Sequence, residues 1–218
     1  DNHSENVISG NKKVLVARLE DAKFFYDIDS SRPLESHVEE LKNLTFFEGL
    51  GNMYQKTQRL MDLTAKYQQQ LNLGDDIKED LKRASYLSKA DLVTKMVIEF
   101  TELEGTMGRI YAKESGESDR VATAIEEQYF PNSAGGALPK SITGIVLSIA
   151  DKIDSIVGLY AIERYVTGSQ DPFGLRRRAL GLINIILKNN IDVDLKKLIN
   201  DSLIVYTEKN GLPFDYDT

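Results

Sequence analysis

From residue 33 onward the apolar positions of this chain recur at three- and four-residue spacing, the period of an amphipathic α-helix. In SSRPLESHVEELKNLTFF, Ser31 reads as a cap and Pro33 as a first-turn residue, followed by Leu34, Val38, Leu41 and Leu44 on one stripe. That predicts a surface-type helix ending near Gly49 and Gly51. A second helix, 52–70, aligns Met53, Leu60, Leu63, Tyr67 and Leu71 and stops before Gly74. Residues 75–100 open with acids and read as one long apolar-faced helix, and 118–129 as a shorter one that Pro131 ends. NSAGGALPKS is a loop, 142–162 a core helix and TGSQ (167–170) a turn. Asp171 and Pro172 then cap a helix over 175–187, and the tail adds one more. The leading stretch GNKKVLVARLEDAKFFYD (10–27) differs: Val14, Leu15, Val16, Leu19, Phe24 and Phe25 cluster in a way that suits a short strand leading into a helix. The sum is an all-α bundle of about seven helices with short links, its first segment partly β, and no internal repeat.

Composition narrows what such a bundle can do. The chain has 218 residues, a formal net charge of -7 and no cysteine, which removes disulfides, thiolate catalysis and Cys-based zinc sites and fits a reducing, cytoplasmic setting. The longest apolar run, 142–150, falls well short of the roughly 20 residues that span a bilayer. No secretory signal opens the chain. It begins DNHSENVISGN without an initiator Met, as a piece of something longer with a polar connector at its front would. Nucleotide-binding and nucleophile-elbow motifs are lacking.

Two aspartates stand out by position. On a continuous helix through 75–100, Asp91 falls with Ala84, Leu87, Thr94 and Ile98 within about 60° of one apolar stripe. An ionised carboxylate there requires donors, a cation or a metal. Asp151 lies opposite the stripe Ile142, Ile145, Val146, Ile149, Ile153, Ile156 and Tyr160, on a face shared with Gly144, Leu147, Ser148, Ser155 and Gly158. Small residues in place of Lys and Glu imply that another helix packs closely there, so Asp151 is also interior. The plainer reading is that both aspartates bridge neighbouring helices; the sharper one is that they are remnants of a site. A dinuclear metal site would need several imidazoles. The chain has His3 in the leading connector and His37 in a surface-type helix, neither placed to join the aspartates.

Charge of the other sign concentrates in TGSQDPFGLRRRALG (167–181). Arg176, Arg177 and Arg178 sit at a helix start, where partial positive charge disfavours cations unless an anion meets them. Successive residues point about 100° apart, so at most two can share one patch. Solvation, or pairing with acids such as Asp171, is one reading. Contact with a phosphate backbone is the other.

Four blocks carry a resemblance: 10–27, YLSKADLVTKMVIEFTELEGTMGRIYA (86–112), LPKSITGIVLSIADKIDSIVGLYAI (138–162) and TGSQDPFGLRRRALGLINIIL (167–187). Together they resemble the β subunit of bacterial tetrameric glycyl-tRNA synthetase. The resemblance implies a leading segment over 1–30 from the preceding part of that subunit and a helical domain over 31–218 similar to a degenerate HD domain. It also implies an α subunit that activates glycine with ATP and Mg, an α2β2 assembly, and a β chain that supports tRNA binding, with no cofactor in this stretch and no membrane. SKAD (88–91), carrying Lys89 and Asp91, stands at the HD superfamily's His-Asp doublet, Asp151 at its final Asp, and Lys56 at its first His. Lysines in those places imply internal countercharge for the carboxylates rather than a metal. An independent HD-type phosphohydrolase is the alternative, disfavoured by the lack of His; a purely structural domain is a third. On the first reading Arg176, Arg177, Arg178 and Lys152 are the candidate phosphate contacts, with Arg109 weaker.

Overall fold

The computed structural model describes residues 2–133, 135–164 and 171–212. Helix dominates throughout. The elements, in chain order, are α1 (Asn2–Asp29), a 3-10 helix (Leu34–Asn43), β1 (Thr45–Phe47), β2 (Gly51–Asn52), α2 (Met53–Gln70), α3 (Asp75–Leu87), α4 (Lys95–Glu99), α5 (Thr106–Glu114), α6 (Asp119–Glu127), α7 (Ile142–Ala161), α8 (Leu175–Lys188) and α9 (Leu195–Asn210). Short 3-10 turns over Ala90–Val93 and Thr101–Leu103 flank α4. Among the described residues no helix is long and apolar enough to cross a membrane.

Helix α7 is the spine. Ile145, Val146, Ile149 and Ile153 are buried as the stripe predicts, and the opposite face is buried too, because α2, α3, α6, α8 and α9 all pack against it. The small residues are what permit this: a Cβ on Gly158 would collide with the Tyr206 hydroxyl of α9, and one on Gly144 with Glu127 of α6. Local chemistry sets the helix starts. Ser141 caps α7 through the Gly144 N–H, Ser118 caps α6, Thr94 caps α4, and Asn52 with Gln55 forms a capping box on α2; each such cap contributes about 1 kcal/mol.

Four expectations are corrected. The leading segment is helical, not partly β: α1 runs through 10–27 and satisfies its own backbone, with Phe25 and Tyr26 turned toward the bundle and Val14, Leu15 and Leu19 exposed. Its end is fixed by Asp29, whose carboxylate accepts the N–H groups of Lys95 and Met96 and the Tyr111 hydroxyl. The long helix over 75–100 breaks after Leu87, where Lys89 leaves helical geometry, and resumes only as α4. The stretch after Pro33 winds as a 3-10 helix that buries His37 with Leu34, Val38 and Leu41, so it is not a surface-type helix. The Gly49–Gly51 stretch turns a small antiparallel hairpin, β1 with β2, and an unanticipated helix, α5, follows residue 105.

Candidate functional site

Two spacings build the centre of the molecule. Lys56 and Arg59 lie three residues apart on α2, Asp151 and Asp154 three apart on α7, so each pair shares a helix face and the faces meet. Arg59 donates through Nε to Asp154 Oδ1 at 2.6 Å and through Nη2 to Oδ2 at 3.3 Å. Lys56 Nζ donates to Asp154 Oδ2 at 2.8 Å and to Ser155 Oγ at 2.9 Å, and stands 3.2 Å from Asp151 Oδ1. Lys89 approaches the same Asp151 oxygen at 3.1 Å. Aromatic faces line the cations: Phe46 lies 4.3 Å below Lys56, Tyr206 4.3 Å from Arg59, and Tyr129 4.3 Å from Lys89.

These groups are all buried, and their proton affinities follow from that. Burial alone would raise the Asp151 carboxyl, but Lys56, Lys89, Arg178 and Lys152 overcome it and hold the group well below the usual carboxylate range. Asp154 is likewise lowered, burial being outweighed by Lys56 and Arg59. Burial pushes Lys89 down and takes Lys152 to about 8. Asp91 stands apart from this cluster. Its Oδ2 accepts the Gly105 N–H at 2.6 Å, its Oδ1 has no partner, and burial raises it to about 6 against the pull of Gly105 and Lys89.

The residues do not fit a metal. Two ammonium groups occupy the approach to Asp151 that a divalent cation would take, and Asp91 turns to backbone instead of joining it. Among the described residues no group of three His, Cys, Asp or Glu is placed to hold an ion.

Arg177 and Arg178 line an open cleft beside this cluster, with a volume of about 630 Å³, and Arg176 is not among its lining residues. Asp171 caps the start of α8, its carboxylate accepting the N–H groups of Leu175 at 2.7 Å and Arg176 at 3.0 Å, which offsets the helix dipole where the arginines begin. Gly174 holds φ +66, a conformation that disfavours side chains, and Arg177 folds back over it. Arg176 and Arg177 are exposed; Arg178 turns inward, 3.9 Å from Asp151 Oδ2 and 3.5 Å from Ser155 Oγ. Lys152 reaches the cleft from below. Its ammonium donates to the Phe130 carbonyl at 2.6 Å and Ser148 Oγ at 2.8 Å, so it is buried and already hydrogen-bonded. Arg109 pairs with Glu126 at 2.8 Å and is not among the residues that line the cleft.

Of the residues singled out in the sequence, Lys56, Lys89 and Asp151 come together, with Lys152 and Arg178 beside them; Asp91 is adjacent and Arg109 separate. Arg59, Asp154, Glu104 and the two phenylalanines of β1 were missed. The matched three-residue spacing of Lys56 with Arg59 and Asp151 with Asp154 was the signal that could have found the first two.

The chain is similar along nearly its whole length to known proteins. A family model described as glycyl-tRNA synthetase beta subunit matches residues 1–215. A glycine–tRNA ligase beta subunit of Clostridioides difficile (strain 630) is 53% identical over 211 residues, covering 97% of this chain and 30% of that protein. Its namesake in Ligilactobacillus salivarius (strain UCC118) is 48% identical over 208 residues (95% and 30%), and that of Bacillus subtilis (strain 168) 42% over 214 residues (98% and 31%). The chain thus spans about 30% of the length of these relatives.

Proposed function

The chain belongs to the glycyl-tRNA synthetase beta-subunit family, and from that premise we propose that it is a non-catalytic helical domain supporting the charging of tRNA with glycine. Glycine activation with ATP and Mg falls to an α subunit in a cytoplasmic α2β2 assembly, and residues 1–30 lead in from the preceding part of the β chain. The central cluster is a degenerate HD-type pocket in which lysines supply the countercharge that metals would otherwise provide.

One observation carries the RNA-contact reading. Arg177 is exposed at the cleft rim, with Arg176 exposed beside it on α8, in a chain of net charge -7, while Lys56, Arg59 and Lys89 are buried against carboxylates. An exposed guanidinium such as that of Arg177 suits phosphate oxygens, positioning RNA without reading its sequence. Arg178 and Lys152 support the rim from within.

The test is kinetic. Replacing Arg176 and Arg177 by Ala together in the full-length subunit, assembled with its partner, raises the KM for tRNA by about tenfold, roughly 1.4 kcal/mol, with glycine-dependent ATP–pyrophosphate exchange unchanged. An unaltered KM for tRNA overturns the reading.

A further inference from the structure

The cleft beside α8 is more than a basic rim. Phe47 of β1 and Phe173, just before α8, meet edge to face with ring centroids 5.9 Å apart, and both line it. Adjacent residues of a strand point to opposite faces. Phe46 accordingly sits over Lys56 in the buried cluster while Phe47 faces the cleft.

Polar atoms without partners ring the same space. Gln128 is fully buried and lines the cleft; its Nε2 donates to the Ser88 and Ile125 carbonyls, but its Oε1 accepts nothing. The Tyr129 hydroxyl and Arg178 Nε are likewise buried and unpartnered, and both residues line the cleft. A buried polar atom left unpaired costs about 1–3 kcal/mol, so atoms of this kind gathered around one cavity mark a place where a ligand supplies the missing bonds. A volume of about 630 Å³ lies within the roughly 300–1,000 Å³ of ligand pockets.

The charges order the ligand. Arg177 stands exposed at the α8 side, Arg178 turns inward toward Asp151, and Glu102 and Glu104 add further carboxyl groups to the lining. A polyphosphate would face those acids, whereas a single phosphate matches the one exposed guanidinium of the lining, that of Arg177. Sugar hydroxyls and base N–H groups suit the acceptors Gln128 Oε1 and Glu104, and a flat ring suits Phe173. We propose that this cleft takes one unstacked nucleotide of single-stranded RNA, its phosphate on Arg177 and its base against the Phe47–Phe173 pair.

This rests on the reading of the domain as an RNA-contacting one, and it adds a base-dependent contact to a purely electrostatic one. Stacking on an aromatic side chain is worth about 1–3 kcal/mol per base and carries no salt dependence of its own.

The experiment uses the assembled full-length enzyme and fluorescently labelled hexanucleotides: single-stranded RNA, the same backbone with abasic sites, and AMP as a competitor. Phe173→Ala weakens the RNA hexamer at least fivefold, leaves the abasic strand and the salt slope unchanged, and Phe173→Tyr restores binding; a melting curve checks that each variant is folded. Equal affinity of wild type and Phe173→Ala for the hexamer overturns the proposal, as does AMP displacing the hexamer as well as unlabelled hexamer does, which assigns the cleft to a free nucleotide. If the double Arg176 and Arg177 to Ala variant binds the hexamer as tightly as wild type, the reading under Proposed function falls as well. If that variant weakens binding and Phe173→Ala does not, the nucleotide pocket alone is lost.

Discussion

Arg59 and Arg177 carry the same guanidinium and live under opposite rules. Arg59 is fully buried, with two of its nitrogens on Asp154, another within 3.3 Å of the Leu50 carbonyl, and Tyr206 across its face. Arg177 is exposed on the first turn of α8, beside an open cleft. Around Arg59 the protein has compensated its own charge, because a cation removed from water is tolerated only when hydrogen-bonded partners replace the solvent. At Arg177 water still does that work, so the group remains available to an outside anion at little desolvation cost. The interior cluster therefore holds the bundle together, and the rim is where binding is to be sought.

The strongest way to break this contrast is to remove the acid that the interior cations share. Asp154→Ala leaves Arg59 and Lys56 buried against one carboxylate fewer, and truncating one partner of a buried pair costs about 3–5 kcal/mol. Against a typical total of about 5–15 kcal/mol, that is enough to lower a urea midpoint sharply or to prevent folding of the domain. A loss below about 1 kcal/mol would mean that the cluster is not internally balanced as described.

Next in size is a pH effect at Asp91. Its folded-state pKa of about 6 lies above the ordinary 3.8, so the folded protein binds that proton more tightly than the unfolded chain does. The group therefore costs stability above about pH 6, and the cost is relieved as pH falls from about 7 toward 4. Two units correspond to at most about 3 kcal/mol. His37 works the other way in part of this window: burial lowers its pKa, so protonation opposes folding as pH falls below the ordinary imidazole value. Asp151 and Asp154, held below the usual range, lose their contribution only once the pH falls below the ordinary carboxylate value. The difference between wild type and Asp91→Asn isolates the effect: stability of the wild type rises relative to the variant as pH drops from 7.5 to 5. Parallel curves would show that Asp91 does not titrate there.

Asp91 also shows how the sequence was legible and where it was not. Its burial was read from a helical wheel, yet the helix ends at Leu87 and Asp91 sits on a 3-10 turn, held by Gly105. The apolar spacing reported the inward positions Ala84, Leu87, Asp91 and Thr94 but not Ile98, which is exposed, and it could not report the break, which depends on contacts made 14 residues away. The stripes of α2 and α7 and the cap at Asp171 depend on neighbours in sequence and were readable. The pairing of Lys56 with Asp154 spans 98 residues and was not. Clustered hydrophobicity in 10–27 suggested a strand, but α1 satisfies its own backbone hydrogen bonds, and among the described residues the sheet comprises only β1 and β2.

The smallest stability effect belongs to the rim, and its smallness is what makes it informative. Arg177 is exposed on α8, so Arg177→Ala changes folding stability by no more than about 0.5 kcal/mol. Arg178→Ala lies between the rim and the interior, since its side chain is about one third exposed and 3.9 Å from Asp151. If the rim meets an RNA backbone, each lost contact lowers the slope of log affinity against log salt by about 0.7 to 0.9, whatever the RNA sequence. Arg176→Ala and Arg177→Ala should each do this with unchanged melting temperatures, and the double variant by the sum, while Arg109→Ala, away from the cleft, leaves the slope as it was. A slope that falls for Arg109→Ala and not for the α8 pair would move the RNA contact to the α5 side of the molecule and leave the cleft rim without a role.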